Sequence, residues 1–271
     1  MKKLTIFIVP VLTLLLACSE GTPVIPDEEM VAVWAYVYVG EALNDIKLTS
    51  TIALDEVSEI APVISGAEVE VVTANGGYIC REDTSQPGIY YYPGSDLSLS
   101  AGDTISLNVV SEDHIITSTT TVPSQPVNVS ISQTSITLPD FSDRESLRGW
   151  RESGTADISV SWDNPDDDWY YVTLNNIDAN PQEINNFFSE RMREIILPPI
   201  QDDHYMVRMP NFTHTGLHRI TIYKVNSEYV DLYEYREQDS RDLQEPLTNI
   251  EGGLGIFTAF NSSSVTFTVS I

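Results

Sequence analysis

The 271-residue chain carries 14 Lys and Arg residues against 40 Asp and Glu residues, a formal net charge of −26. This excess of acid argues against a protein that follows nucleic-acid phosphates or that docks on anionic lipid through a basic face. Two cysteines exclude a disulfide scaffold and a four-cysteine zinc site, while 42% hydrophobic residues are enough for a packed core.

The N-terminal segment has the pattern of a lipoprotein leader. Two lysines precede an apolar stretch over residues 4–16, which is too short to cross a bilayer comfortably but has the length of a signal-peptide core. The stretch ends in the lipobox-like sequence Leu15-Leu16-Ala17-Cys18. We therefore predict a leader over 1–17, acylation of the Cys18 thiol and a flexible tether over 18–29. The alternative is an ordinary secretory signal with a chance cysteine.

The residues after Cys18 predict where the anchored protein resides. Ser19, rather than Asp, follows the cysteine, which favours the outer membrane over retention in the inner membrane. Glu20 and the acidic run Asp27-Glu28-Glu29 favour the cell surface over the periplasmic face. Cleavage before Cys18 would leave 12 basic and 40 acidic residues, a net charge of −28.

Residues 30–126 predict a first β domain. The odd-numbered residues from Val31 to Val39 lie on one face of a strand, and Trp34, Tyr36 and Tyr38 lie on the other. Because both faces are apolar, the strand should be central in its sheet. Asn75-Gly76-Gly77 is a hairpin signal. Further strands are predicted around residues 67–71, 89–92, 105–109 and 115–122. Their number and spacing predict a β-sandwich of immunoglobulin-like or transthyretin-like size.

Residues 127–271 predict a second β-rich domain with two helical insertions. Alternation over 156–162 and 170–174 predicts a hairpin across the turn Asp163-Asn164-Pro165, and the chain ends on an inward-facing strand over 265–271. Apolar residues at helical spacing predict helices near 182–196 and 227–242, the second with Ser227 as its N-cap.

Aromatic residues supply the one candidate contact for a ligand. The first domain is rich in tyrosine and tryptophan, and most of these side chains are expected to pack in the core. Tyr90 and Tyr92 share one face of a strand, so Tyr91 lies on the other. An exposed tyrosine on a sandwich can stack on a sugar ring or fill a pocket of a partner protein. Tyr91 is therefore a candidate contact for a glycan, a peptide or a protein.

No catalytic, cofactor or metal residues are predicted. His214 and His218 would stand roughly 13 Å apart on a strand, too far for one ion. No Gly-x-Ser-x-Gly elbow occurs, and Cys80 is expected to be a small buried hydrophobe. The residues Asp163, Asp166, Asp167 and Asp168 form either a solvated turn or a calcium site, and the sequence does not decide between them.

Several blocks together resemble a family of Bacteroidota lipoproteins known as domain of unknown function 4249. Besides the lipobox, the similar blocks are Pro62 to Val69, Gly88-Ile89-Tyr90, Ala101 to Leu107, Thr119 to Pro123 and Pro246 to Phe257. The stretch Asn249 to Phe257 is the most specific of them. Its glycines, Gly252, Gly253 and Gly255, are expected to serve backbone bends or close packing, because no phosphate-loop lysine follows.

The resemblance implies an envelope lipoprotein, often encoded beside TonB-dependent outer-membrane transporters, with no established chemistry. We therefore expect a lipid-anchored accessory protein of the outer membrane that binds such a transporter or holds nutrient near it. An adhesin or glycan-binding module is the alternative. Enzymatic activity ranks third, because no residue pattern supports it.

Overall fold

The computed structural model describes residues 30–51, 60–112, 114–139, 148, 157–184, 198–208, 212–236 and 248–271. The strands of this part of the chain are β1 (Val31–Tyr38), β2 (Ile46–Ser50), β3 (Glu68–Thr73), β4 (Gly76–Ile79), β5 (Arg81–Glu82), β6 (Ile89–Tyr91), β7 (Thr104–Ser111), β8 (His114–Thr121), β9 (Ser130–Ile131), β10 (Ser135–Thr137), β11 (Ile158–Ser161), β12 (Trp169–Asn176), β13 (His204–Val207), β14 (Gly216–Val225), β15 (Ile250–Glu251) and β16 (Leu254–Ser270). One helix, α1 (Ser227–Arg236), precedes β15. The predicted mainly β class is confirmed.

The strands form three sheets. The large sheet has the order β12-β14-β16-β1-β2-β6-β5, and β10 pairs additionally with β16. The five-stranded sheet has the order β15-β8-β7-β3-β4, and the three-stranded sheet has the order β13-β11-β9. The 17-residue strand β16 is long enough to pair with β1 along its first half and with β14 along its second.

The first strand lies in the middle of the large sheet, as its two apolar faces predict. β1 is hydrogen-bonded to β2 on one side and runs parallel to β16 on the other, with Ala35 opposite Phe257. Its valines are buried, while Trp34, Tyr36 and Tyr38 on the opposite face are half-buried. The first and last strands of the folded body are therefore direct neighbours.

The first hydrophobic core lies between the large sheet and the five-stranded sheet, which makes this part a β-sandwich. Val33, Ile46 and Phe257 contribute from the large sheet, and Val71 and Leu107 from the five-stranded sheet; all five are fully buried. Alternating apolar residues on strands of both sheets face each other, which is the arrangement that removes most apolar surface from water.

A second core lies between the other half of the large sheet and the three-stranded sheet. Ile158 and Val160 of β11 face Ile220 and Ile222 of β14, and Phe267 of β16 completes this core. β16 therefore contributes to both cores, with Phe257 in the first and Phe267 in the second. A domain boundary between residues 126 and 127 stays a prediction.

The predicted hairpin across Asp163-Asn164-Pro165 is wrong. β11 pairs with β13 and β9 in the three-stranded sheet, whereas β12 pairs with β14 in the large sheet. The turn therefore carries the chain from one sheet to the other across the second core. Sequence alternation marks both strands but does not contain the information about which strand each one pairs with.

The prediction of two helical insertions is not supported. Ser227–Arg236 forms the later helix, and residues 237–242 lie outside the described residues. At the start of the other predicted helix, Glu183 instead forms an antiparallel bridge with His214, and the Ile184 N–H donates to the Thr213 carbonyl. Residues 185–197 lie outside the described residues.

Candidate functional site

Tyr91 lies on β6, close to one edge of the large sheet. Its cross-strand partner is Arg81 on β5, the last strand of that sheet. Neighbouring Tyr90 points into the core, where its hydroxyl donates to the Ile64 carbonyl and accepts from the Ala67 N–H. Tyr91 is half-buried on the opposite face, as the alternation predicts.

Two sheet edges meet beside Tyr91. β4 is the last strand of the five-stranded sheet and β5 is the last strand of the large sheet, and Cys80 is the single residue between them. Cys80 is 7% exposed, and burial raises the pKa of its thiol to about 12. A thiol with this pKa is not a nucleophile at neutral pH. It is a small buried side chain at a crossing between sheets, as predicted.

Ile79, next to Cys80, is a surface feature that the sequence analysis missed. Its side chain is 70% exposed, whereas the preceding Tyr78 is buried and makes an edge-to-face contact with Tyr92, with ring centroids 5.3 Å apart. The available signal was the alternation itself, which places Ile79 on the face opposite Tyr78. Ile79, Arg81 and Tyr91 thus lie on strands at or next to the edges where the chain crosses between the two sheets, and we call this region the β4–β5 edge.

A second group of aromatic residues packs beneath α1 rather than forming an open surface. The Tyr38 ring stacks on Phe260 with centroids 4.9 Å apart, and Tyr229 of α1 meets Phe260 edge to face at 5.1 Å. Burial raises the pKa of the Tyr38 phenol well above its usual range, and nearby Asp45 acts in the same direction. The helix and sheet are therefore held together by aromatic packing.

The glycine-rich stretch has a structural role. An added Cβ would lie 2.4 Å from the Ile115 carbonyl oxygen at Gly252, 2.7 Å from that of Val31 at Gly253 and 1.9 Å from that of Val33 at Gly255. Gly252 and Gly255 also have positive φ, at 78° and 109°. The predicted bends and close packing are confirmed, although Gly253 acts through close approach and not through positive φ.

Asn249 secures the same stretch through its side chain. Its Nδ2 donates to the Phe257 carbonyl at 2.6 Å, and its Oδ1 accepts from the Phe257 N–H at 3.0 Å. The amide thus satisfies both backbone groups of Phe257, a residue whose side chain is in the first core. Asn249 therefore stabilises the fold of the stretch Asn249 to Phe257.

The acidic turn uses two of its carboxylates in contacts with the protein. Asp163 Oδ2 accepts from Asn128 Nδ2 at 2.6 Å, and Asp168 forms an ion pair with Lys224. Among the described residues, no group of three or more His, Cys, Asp or Glu side chains is placed to hold a metal ion.

His214 and His218 have separate environments. His218 is 3% exposed and stacks on Phe267 with centroids 5.3 Å apart. Its Nε2 faces the donating Nδ2 of Asn176 at 3.2 Å, so its Nδ1–H donates to the Gly216 carbonyl at 3.0 Å. These contacts suit a neutral ring, and burial lowers the pKa of His218 below its usual value. His214 instead contacts Thr213.

Cys18, the predicted acylation site, lies outside the described residues. Within the described ranges, no helix has the length and apolar character needed to span a bilayer. The first described residue is Met30, whose N–H donates to Thr51 Oγ1 and whose carbonyl accepts from the Thr51 N–H. The expected tether is therefore attached at a firmly bonded position on the sandwich.

Among solved structures, the chain is similar to the FN1-FN3 domains of chicken CNTN1, at 10% identity with a TM-score of 0.26, over 89% of this chain and 67% of that one. It is also similar to domains A168-A170 from titin, at 10% identity with a TM-score of 0.22, over 89% of this chain and 66% of that one. No curated protein matches the sequence. The profile of the family described as domain of unknown function (DUF4249) matches residues 20–266, so this chain belongs to the DUF4249 family.

Proposed function

We propose that this protein is a lipid-anchored binding protein of the outer membrane that assists a TonB-dependent transporter in nutrient uptake. The proposal is supported by the lipobox ending at Cys18, by the acidic body and by the family to which the chain belongs. The observation that carries it is the position of Met30, where the expected tether joins the folded body.

Met30 lies at an end of the first sandwich that carries exposed apolar side chains. A groove of about 280 Å³ at this end is lined by Met30, Val63 and His114, among other residues. Val63 is 50% exposed, and Ile115, which follows His114, is 71% exposed. Because the anchor would hold this end closest to the bilayer, these side chains are placed to meet a partner that is itself embedded in the membrane.

Two experiments test the proposal. Cys18→Ala should move the protein from the membrane fraction to the soluble periplasmic fraction, because acylation supplies the anchor. A mutant that still pellets with membranes after a high-salt wash would place the anchor elsewhere. Affinity purification from detergent-solubilised membranes should recover a TonB-dependent transporter, and repeated recovery without one would count against this partner.

Glycan binding is the second candidate function, and Tyr91 is the observation that favours it. The Tyr91 side chain is half-buried on the face of β6 opposite the core, and a partly exposed tyrosine ring can stack on a sugar. Binding on a glycan array that Tyr91→Ala abolishes, with the melting temperature unchanged, would support this function over the first.

A further inference from the structure

The backbone of β4 has hydrogen-bonding groups that point away from its sheet. The Cys80 N–H donates to the Val69 carbonyl, and β4 pairs with β3 in the register that places Tyr78 opposite Val71 and Ile79 opposite Glu70. Antiparallel pairs alternate between hydrogen-bonded and non-hydrogen-bonded positions. Tyr78 therefore bonds to β3, whereas the N–H and C=O of Ile79, and likewise those of Gly77, point to the open side.

β4, which is four residues long, has neither of two features that commonly protect the edge of a sheet, a charged side chain or a proline. Its sequence Gly-Gly-Tyr-Ile has no charged residue and no proline, and Ile79 exposes an apolar side chain. In the described part of the chain, β3 is the only strand that pairs with β4. By contrast, β5, the edge of the large sheet, is two residues long and consists of the charged residues Arg81 and Glu82.

Two carboxylates of β3 lie beside β4, whereas the basic Arg81 lies beyond Cys80 on β5. Glu70 lies directly opposite Ile79, and its carboxylate reaches over Gly77, where an added Cβ would meet Glu70 Oε1. Glu68, two residues earlier on the same face of β3, is exposed. With a net charge of −26, two copies of this chain would repel each other at such an edge.

We propose that β4 binds an extended segment of a partner protein, which adds to the five-stranded sheet as a further strand. The segment would carry an apolar side chain opposite Ile79 and a Lys or Arg side chain two residues away, opposite Gly77, within reach of the Glu70 carboxylate. Backbone hydrogen bonds to Gly77 and Ile79 would supply affinity, and the alternating side chains would supply selectivity. This inference depends on the proposed binding function, but not on the lipid anchor or on the transporter.

The test uses the full mature chain carrying Cys18→Ala and a fluorescent ten-residue probe in which every second residue is alternately lysine or valine, with threonine between them, so that lysine and valine share one face of the strand. A second probe of the same sequence is N-methylated at every residue, so that it keeps the charge but has no backbone N–H on either edge to donate to β4. Fluorescence anisotropy should show binding of the first probe and much weaker binding of the second. Hydrogen exchange should slow at Gly77 and Ile79 when the first probe is bound.

Ile79→Pro is the decisive variant, because it removes an N–H that points outward and none that bonds to β3. It should weaken binding of the first probe by roughly tenfold, the effect of losing about one backbone hydrogen bond. Leu217→Ala is the control: Leu217 is 38% exposed, but it lies on β14, an interior strand of the large sheet, and its replacement leaves the charge unchanged. This control should bind as the unmodified chain does.

Equal binding of the two probes would overturn the proposal, and this comparison does not require any variant to fold. Unchanged binding of the first probe to a folded Ile79→Pro variant would also overturn the proposal. So would a dimer of the unmodified chain in solution that becomes a monomer in the Ile79→Pro variant. If the Ile79→Pro variant recovers a transporter as well as the unmodified chain does, the proposed function is supported and only the proposed binding site on β4 is contradicted.

Discussion

The carboxylate of Glu228 accepts a hydrogen bond from the hydroxyl of Thr120, a residue 108 positions earlier in the chain. The same oxygen, Oε1, accepts from Thr258 Oγ1 at 3.1 Å and from Asn226 Nδ2 at 3.2 Å. Thr120 is on β8 of the five-stranded sheet and Thr258 is on β16 of the large sheet. One side chain of α1 therefore connects the helix to both sheets of the first sandwich.

Loss of this carboxylate should destabilise the fold. Thr258 is 0% exposed, so Glu228→Ala leaves its buried hydroxyl without the acceptor it has now. We expect the free energy of unfolding to fall by about 1–3 kcal/mol, measured by urea denaturation. Glu228→Gln keeps an oxygen acceptor and should lose less. Asp231→Ala, one turn further along the helix, is the control, and equal losses for all three variants would contradict this account.

Gly255 should not tolerate any side chain. In Gly255→Ala the new Cβ would lie 1.9 Å from the Val33 carbonyl oxygen, and no side-chain rotation can relieve a contact with backbone. Gly102→Ala is a matched control, because Gly102 also has positive φ, at 87°, but has nothing within 4 Å of the added Cβ. Backbone strain of about 1–3 kcal/mol applies to both variants.

We expect the clash to lower the melting temperature of Gly255→Ala well below that of Gly102→Ala. Gly253→Val should also be destabilising, because its Cβ would lie 2.7 Å from the Val31 carbonyl oxygen. Calorimetry of the purified variants checks both expectations. A Gly253→Val protein that melts normally but no longer binds a partner would show that Gly253 contributes to partner binding and not to stability.

Stability should fall when the medium is acidified through the range in which free histidine titrates. Burial lowers the pKa of His218 in the folded state below its usual value of 6.5, whereas the unfolded chain keeps the usual value. Below pH 6.5 the unfolded state therefore binds more protons, so the contribution of His218 to stability is complete above pH 6.5 and is lost as the pH falls towards the folded-state pKa.

His218→Phe should flatten the dependence of unfolding free energy on pH by up to about 1.4 kcal/mol per pH unit, the limit for one proton. Phenylalanine can keep the stacking contact with Phe267 but cannot bind a proton. His204→Gln is the control, since the His204 side chain is 58% exposed. The same slope in His218→Phe and in the unmodified chain, over pH 5 to 7 in urea titrations, would show that His218 does not titrate differently on folding.

Display at the cell surface can be tested with protease on intact cells. The mature chain from Cys18 would carry −28 and be repelled by an anionic leaflet, and the eleven residues of the predicted tether from Ser19 to Glu29 would span on the order of 15–20 Å as a flexible chain. We expect added proteinase K to digest the 31–271 body while a periplasmic control protein survives. Complete protection of the body would place it on the periplasmic side.

Alternation in the sequence was sufficient to locate strands, because a strand with one buried face must place apolar residues at every second position. Apolar residues on both faces predicted the central position of β1, and the turn signal at Asn75 predicted the hairpin in which Ala74 and Asn75 connect β3 to β4. Alternation also placed Tyr91 on the face opposite Tyr90. It failed at Asp163, since period-two alternation looks the same whether the next strand pairs with its neighbour or crosses to another sheet.

The sequence by itself therefore determined the β class, the positions of most strands and the need for glycine at Gly252, Gly253 and Gly255. The tertiary structure decided the strand partners, because hydrogen bonds between strands such as β1 and β16 join segments that are far apart in the chain and leave no local pattern. It alone brought Glu228 to Thr120 and, among the described residues, left Ile79 on the last strand of its sheet, since an edge is defined by the absence of a neighbouring strand.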